Sequence, residues 1–197
     1  MGALIAYFSR RGENYVSGKL KELSVGNTEV AAGMLQQLTG ADLFQLEPVH
    51  EYPKSYNACI DEAQADQLRD ARPELKRYPE SLDGYDTIYL GYPNYWGTMP
   101  MQVFTFLEHF DFSGKTICPF CTHEGSGIGR SEADINIIWN LPEKMVSPEY
   151  HVRLFHGCHS LHFRAFHGAH HECLSSASAS RSRTDHTFQR IFQLLDQ

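Results

Sequence analysis

The sequence has little positive charge and no long apolar run. Asp and Glu outnumber Lys and Arg by 24 to 17, which gives a formal net charge of −7 over 197 residues. Nucleic acids and anionic membranes require clustered Lys and Arg, so we expect neither as the main partner. No apolar run approaches the length of a membrane span. The first residues, MGALIAYFSRRGENY, lack the basic start and long apolar core of a signal peptide.

Cysteine and the common nucleotide motifs are also scarce. The five cysteines are odd in number and irregularly spaced, which fits a reducing cytoplasm better than a disulfide framework. The segment GNTEV (26–30) lacks the GK[ST] ending of a P-loop, and no G-x-G-x-x-G occurs. These absences argue against a P-loop ATPase and leave a site for a single phosphate as the alternative.

Apolar runs alternate with amphipathic segments through about residue 140. The predicted strands are 3–8, 42–47, 87–92 and 116–121, and the predicted helices are 27–40, 55–68, 98–110 and 131–138. Most of the strands are continuously apolar, as in a parallel sheet covered on both faces. Asn27 or Thr28, Thr98, and a Ser131–Asp134 capping box are the predicted N-terminal caps, and Gly40 is the predicted stop. The alternation predicts a doubly wound α/β fold.

Ligands of such folds lie at the carboxyl ends of the strands, where three loops converge. After the first strand, Ser9 and the helix start at Gly26, Asn27 and Thr28 can bind phosphate, or GNT can be a plain cap. The loop PNYWGTMP (93–100) offers two aromatic rings, which either cover a ligand or pack on a neighbouring loop. The loop THEGSGIGRS (122–131) lets backbone approach a flat ligand through its glycines. Together they suit a planar phosphorylated cofactor.

Five stretches resemble flavodoxins, in particular the bacterial group with a split phosphate loop. They are AYFSRRGENY, VGNTEVAA, DARPEL (70–75), YLGYPNYWGTMP and PFCTHEGSGIGRS, within residues 3–138. The resemblance implies a flavodoxin-like parallel sheet of order 2-1-3-4-5 with helices on both faces, and FMN as cofactor. Residues 1–138 would form the FMN-binding domain.

The resemblance also implies which residues bind FMN. The phosphate would lie at Ser9, Asn27 and Thr28, with Arg10 and Asn14 nearby. The isoalloxazine would lie against Pro93, Asn94, Tyr95, Trp96 and Gly97, with Tyr95 or Trp96 stacked on the ring. The pyrimidine end would contact Thr122, His123, Glu124, Gly125, Ser126 and Gly127.

The function implied is one-electron transfer through the semiquinone/hydroquinone couple, with no catalytic residue. A peptide next to Gly97 would flip to accept a hydrogen bond from reduced N5. A redox partner with a basic docking face would suit the acidic surface. Two alternatives remain: an FMN-dependent NAD(P)H or quinone reductase, which needs an open flavin face, and a flavodoxin-like binding module without cofactor.

Other chemistry-bearing residues are weaker candidates. Cys118 and Cys121 spell C-x-x-C, but they lie in a predicted strand, where their side chains point to opposite faces. Asp61, Glu62 and Asp66 are interpreted as a solvated helix face rather than a metal site.

The last third of the chain changes character near Trp139. Eight of the eleven histidines lie between 151 and 186, and 175–183 is Ser-rich. The fifth strand and last helix of the fold are therefore in doubt: 151–157 is a poor strand, although 188–197 can form a helix. Residues 139–197 are a divergent tail, a metal-binding segment using His167, His170, His171 and Cys173, or the product of a frame change.

Overall fold

The structure, a computed structural model, describes residues 2–139 and the backbone of 150–154, 159–163 and 166–167. Its strands are β1 (Gly2–Tyr7), β2 (Gly12–Val16), β3 (Lys19–Leu23), β4 (Asp42–Gln45), β5 (Tyr85–Pro93), β6 (Thr116–His123), β7 (Tyr150–Leu154), β8 (His159–Phe163) and β9 (Phe166–His167). The main sheet has the order β4-β1-β5-β6-β8-β7, with β9 also beside β6. The first four of these strands are parallel. The predicted 2-1-3-4 core of a doubly wound sheet is confirmed.

The position of the fifth strand differs from the expectation. The neighbour of β6 is β8, which runs antiparallel to it and forms an antiparallel pair with β7. Segment 151–157, expected to be a poor fifth strand, contributes to β7 instead. A polar sequence such as HSLHF is unsuited to a strand buried on both faces, whereas an antiparallel strand tolerates it. The predicted helix 188–197 lies outside the described residues.

Four helices are described: α1 (Asn27–Thr39), α2 (Tyr56–Leu68), α3 (Met101–His109) and α4 (Ser131–Ile138). None of them is long and apolar enough to cross a membrane. The sequence predicts their start and stop signals only in part. Gly40 ends α1 in the left-handed conformation, as predicted.

The predicted side-chain caps are wrong, because no side-chain cap hydrogen bond forms at α1, α3 or α4. Gly26 is the N-cap of α1, and the Oγ of Ser9 accepts the Glu29 N–H at 3.0 Å in place of a local cap. Thr98 donates to Asp134 across two loops, and Ser131 donates to the Ile128 carbonyl at 2.6 Å. Both members of the expected capping box thus stabilise loop packing instead.

The core lies in two layers, one on each face of the sheet. Leu4, Leu90 and Tyr92 pack with α2, α3 and α4 on one face. On the other, Ile5 and Phe120 pack against α1. Consecutive strand residues alternate between these layers, as the pleat requires. The two buried layers hold the carboxyl ends of β1, β5 and β6 at one edge.

The segment after β1, expected to be a loop, contains the antiparallel hairpin β2–β3. Hydrogen bonds and close backbone packing attach this hairpin to Lys54 and to the start of α2. Gly12 has φ +93°, and a Cβ there would lie 2.9 Å from the carbonyl oxygen of Lys54. The Glu13 N–H donates to that same carbonyl at 3.0 Å, and the Glu13 carboxylate accepts the Tyr56 N–H at 2.9 Å. The hairpin is thereby placed beside the loops at the carboxyl edge of the sheet.

Candidate functional site

A cleft of about 300 Å³ opens at this carboxyl edge. It lies between the loops after β1, β5 and β6, the β2–β3 hairpin and the start of α2. Eleven of the sixteen site residues predicted from sequence line it: Arg10, Asn14, Asn27, Pro93, Asn94, Tyr95, Trp96, Thr122, His123, Glu124 and Ser126. The three loops therefore converge as expected. Five predicted residues do not line the cleft but form hydrogen bonds next to it: Ser9, Thr28, Gly97, Gly125 and Gly127.

One end of the cleft is formed by Arg10 and the N-terminus of α1. The Arg10 guanidinium donates to the carbonyls of Glu13, Pro53 and Lys54. Its Nε is buried and has no hydrogen-bond acceptor among the described residues. An unshared buried donor beside a helix N-terminus suits an anion.

The backbone at this end is closely packed. A Cβ on Gly26 would lie 2.3 Å from Ser9 Oγ and 2.5 Å from the Arg10 carbonyl oxygen. Only glycine therefore lets the start of α1 approach the end of β1 so closely. The positive charge of Arg10 and the N-terminus of α1 fit the charge of a phosphate group.

Ser9 and Thr28 make contacts within the protein, and their phosphate-binding role stays a prediction. The Ser9 hydroxyl serves α1 as an acceptor, and Ser9 lines a neighbouring depression of about 440 Å³ on the other side of Arg10. Thr28 is 2% exposed, and its hydroxyl hydrogen-bonds to Thr122 Oγ1 at 2.8 Å. That bond joins α1 to β6, and Thr28 does not line the cleft.

Tyr95 points inward from the loop after β5 (93–100), which we call the aromatic loop. Its ring packs edge-on against Phe8 and at a tilt against Tyr52, with centroids 6.2 Å and 6.1 Å away. Its hydroxyl lies 3.7 Å from Cys59 Sγ. Burial raises the pKa of Tyr95 well above its usual value. Tyr95 is thus a wall of the cleft anchored in the core.

Trp96 has the opposite disposition and is 46% exposed. It and Gly97 both have positive φ, +52° and +81°, as in a type I′ turn between Tyr95 and Thr98. A left-handed tryptophan is strained. Its indole N–H donates to the Ile60 carbonyl of α2 at 2.8 Å, which fixes the ring at the mouth of the cleft.

Hydrogen bonds hold the loops after β5 and β6 together. The Asn94 amide donates to the Gly127 carbonyl at 2.8 Å and accepts the Gly97 N–H at 2.9 Å. The Gly97 carbonyl in turn accepts the Arg130 N–H at 2.7 Å. The peptides on both sides of Gly97 are therefore hydrogen-bonded, and the expected flip would have to break one of these bonds.

His123 also faces the backbone of its own loop. Its Nδ1 accepts the N–H groups of Gly125 and Gly127, each at 3.0 Å. These two N–H groups are therefore directed to His123 in this structure.

Sequence reasoning missed the contribution of the hairpin and of α2. Tyr15 of β2 and Tyr56 of α2 line the cleft with their rings 5.3 Å apart, and Cys59, Ile60 and Ala63 extend the α2 wall. The available signal for the hairpin was the Ser17–Gly18 dipeptide between β2 and β3, where both residues have positive φ. The side chains of α2 gave none, because its weak amphipathic pattern does not mark a ligand-facing side.

The other candidates have structural explanations. Cys118 and Cys121 lie in opposite core layers, both as free thiols, so they do not form a working dithiol. Asp66 is not part of a solvated face, because it is 4% exposed and accepts the Tyr52 hydroxyl at 2.8 Å and Arg69 at 2.6 Å. Within the described part of the chain, no group of three His, Cys, Asp or Glu can hold a metal. The predicted tail ligands His170, His171 and Cys173 lie outside that part, as does the side chain of His167.

The fold and the cleft define a doubly wound α/β protein with a ligand site at the switch point of its sheet. The family model described as Flavodoxin matches residues 3–149. The chain therefore belongs to the flavodoxin family.

Solved structures agree with this membership. A protein from Bacteroides eggerthii assigned as a flavoprotein is 29% identical, with a TM-score of 0.59 over 71% of this chain and 81% of the other. One from Bacteroides uniformis is 27% identical, with the same TM-score over 71% and 83%. A flavoprotein from Lactobacillus acidophilus, solved in complex with FMN, is 19% identical, with a TM-score of 0.55 over 71% and 87%. No curated protein matches the chain.

Proposed function

We propose that this protein binds FMN non-covalently in the cleft and transfers electrons through it. The observation that carries the proposal is the pairing of an anion-binding end, at Arg10 and α1, with an aromatic end, at Tyr95 and Trp96. Flavodoxin-like sheets bind FMN where the first and third strands separate, which here is the edge between β1 and β5. Family membership and the FMN complex of the Lactobacillus acidophilus protein support the same cofactor.

Each end of the cleft has a distinct task in this proposal. The Arg10 Nε and the first turn of α1 bind the phosphate. Trp96 and Tyr95 flank the ring system and exclude water from it, while the loop 123–127 borders its polar edge. Bound FMN supplies the redox chemistry, and the surrounding side chains orient it and set its environment.

The phosphate assignment is tested by comparing FMN with riboflavin in flavin-fluorescence titrations. FMN should bind at least tenfold more tightly, and Arg10→Gln should reduce that preference to a few-fold. Arg11→Gln is the control, because Arg11 is exposed and paired with Glu29 at 3.0 Å. Equal affinity for FMN and riboflavin in the wild type would overturn the assignment.

An electron carrier is the function we favour, with a protein partner whose docking face is basic. The formal charge of −7 supports such a partner. The free thiols of Cys59, Cys118 and Cys121 suit the reducing cytoplasm as its compartment. Stepwise anaerobic reduction, followed by absorbance, tests whether electrons are accepted one at a time.

A reductase acting on NAD(P)H or quinone is the second candidate. The observation in its favour is the half-exposed pair Tyr15 and Trp96, 42% and 46% exposed at the mouth. A second planar molecule could stack there. Rapid anaerobic flavin reduction by NAD(P)H without any partner protein would support the reductase, and its absence would support the carrier.

A further inference from the structure

His123 is a titratable side chain that lines the cleft and hydrogen-bonds to the backbone of its own loop. It ends β6, and its Nδ1 accepts two backbone N–H groups, from Gly125 and Gly127, each at 3.0 Å. A ring nitrogen that accepts hydrogen bonds carries no proton, so the neutral ring must be protonated at Nε2. The Nε2 atom is buried.

The loop held in this way has a conformation that few residues adopt without support. Gly125 and Gly127 have φ of +115° and +72°. In the same loop, Glu124 and Ser126 line the cleft. The Gly127 carbonyl accepts a hydrogen bond from the Asn94 side chain of the aromatic loop. The Nδ1 lone pair is thus the shared acceptor around which the loop bends.

We propose that His123 is a positioning residue that holds the loop 123–127 in its FMN-binding shape only while its ring is neutral. This inference rests on the proposed function, whose cofactor would border this loop. Protonation places an N–H at Nδ1, opposite two other N–H donors. The two backbone bonds are then lost and the loop opens. FMN affinity therefore falls on acidification through the titration of this side chain.

Other charged groups share the surroundings of His123. Arg10, Tyr15, Tyr56 and Glu124 line the same cleft. On the neighbouring strand β8, Ser160 lies opposite His123 in the register and His162 lies opposite Cys121, with His159 at the end of β8. The FMN phosphate also titrates near pH 6. A test must separate His123 from all of these groups.

His123→Asn makes that separation, because the Asn Oδ1 occupies nearly the position of Nδ1 and accepts hydrogen bonds at every pH. FMN dissociation constants would be measured from pH 8 to pH 5 for the wild type, His123→Asn and His123→Leu. At pH 8 the Asn variant should bind within a few-fold of the wild type, and the Leu variant about tenfold or more weaker. On acidification the wild type should lose at least fivefold more affinity than the Asn variant, in which the phosphate and β8 histidines still titrate.

A second measurement does not depend on FMN. Nitrogen-15 NMR of the cofactor-free protein should show His123 protonated at Nε2 alone at pH 8. In the wild type, the amide protons of Gly125 and Gly127 should exchange slowly at pH 8 and lose this protection as the ring becomes protonated. In His123→Asn the protection should persist at low pH.

The outcomes separate the two proposals. Identical pH profiles for the wild type and His123→Asn, or full affinity in His123→Leu, would overturn the role of His123. An NMR spectrum of the cofactor-free protein that shows His123 protonated at Nδ1 at pH 8 would also overturn the role of His123. If the wild type binds no FMN at any pH, the proposed function fails, and the NMR result alone decides whether His123 holds the loop.

Discussion

The side chain of Asn94 lies between two loops and hydrogen-bonds to both. Its amide nitrogen donates to the Gly127 carbonyl at 2.8 Å, and its amide oxygen accepts the Gly97 N–H at 2.9 Å. This side chain therefore helps to position the loop after β5 relative to the loop after β6, together with the bond from the Arg130 N–H to the Gly97 carbonyl. The walls of the proposed flavin cleft depend on this link.

Asn94→Ala should weaken FMN binding about tenfold while changing the melting temperature little. Each lost hydrogen bond contributes roughly 0.5–1.5 kcal/mol, and both join surface loops rather than core elements. Flavin-fluorescence titration measures the affinity and calorimetry the melting temperature. Asn94→Asp, which keeps an acceptor for Gly97 but has no donor for Gly127, should give an intermediate affinity. Wild-type affinity in the Ala variant would contradict the role of the link.

Gly26→Ala should destabilise the protein by about 1–3 kcal/mol, because its methyl group has no room. The added carbon would lie 2.3 Å from Ser9 Oγ. Gly33 is the matched control in the same helix, since nothing lies within 4 Å of a Cβ there. Gly33→Ala should stabilise by about 0.5–1 kcal/mol through helix propensity. Urea unfolding measures both, and equal effects of the two substitutions would contradict the close approach at Gly26.

The thiols of Cys59, Cys118 and Cys121 should be unreactive in the folded protein. All three are buried. Burial raises the pKa of Cys118 to about 12, and it also raises the pKa of Cys121. The reactive thiolate is therefore scarce at pH 8. In a Cys158→Ser, Cys173→Ser background, Ellman's reagent should modify none of the three until guanidinium is added. Rapid modification of Cys118 or Cys121 in the native state would revive the C-x-x-C hypothesis.

Stability should fall at alkaline pH because several tyrosine hydroxyls are buried. Burial raises the pKa of Tyr52, Tyr89 and Tyr92 above the usual value. The unfolded chain therefore releases protons first, near pH 10, and the stability present below that pH is lost as pH rises further. Melting temperatures from pH 7 to pH 11 test this. Tyr89→Phe should make the alkaline decline shallower, and an unchanged slope would contradict the assignment of Tyr89.

The parallel core could be predicted from the sequence because its signals are local. The runs that form β1, β5 and β6 are continuously apolar. The helices between them have an apolar face or end at a glycine, as α1 does at Gly40. The converging loops followed from topology alone. The antiparallel β8 beside β6 could not be predicted in this way, because pairing between distant strands leaves little trace in a polar sequence.

Side-chain roles at the site were less predictable than its location. Thr28 has the residue type of a phosphate ligand, yet its hydroxyl pairs with Thr122, 94 positions away. Ser131 and Asp134 have capping-box spacing, but the Ser131 hydroxyl accepts the Tyr92 hydroxyl and Asp134 accepts Thr98, and both of these partners are distant in sequence. Tyr15 lies beside Tyr56 at the cleft because the hairpin is bound to the start of α2. Such long-range bonds cannot be read from spacing.

The domain boundary proposed near residue 138 stays a prediction. Helix α4 ends at Ile138, whereas the family match extends to residue 149. The three interpretations of residues 139–197 likewise stay open as hypotheses. Translating the other reading frames of the gene tests the frame change directly, since one of them should then encode a flavodoxin-like ending.

The most direct test of FMN binding is the visible spectrum of the purified protein after incubation with FMN and desalting. We expect flavin absorption bands that remain with the protein at near one FMN per chain, shifted from those of free FMN by the aromatic cleft. A colourless protein that melts cooperatively would contradict FMN binding and favour a flavodoxin-like binding module without cofactor.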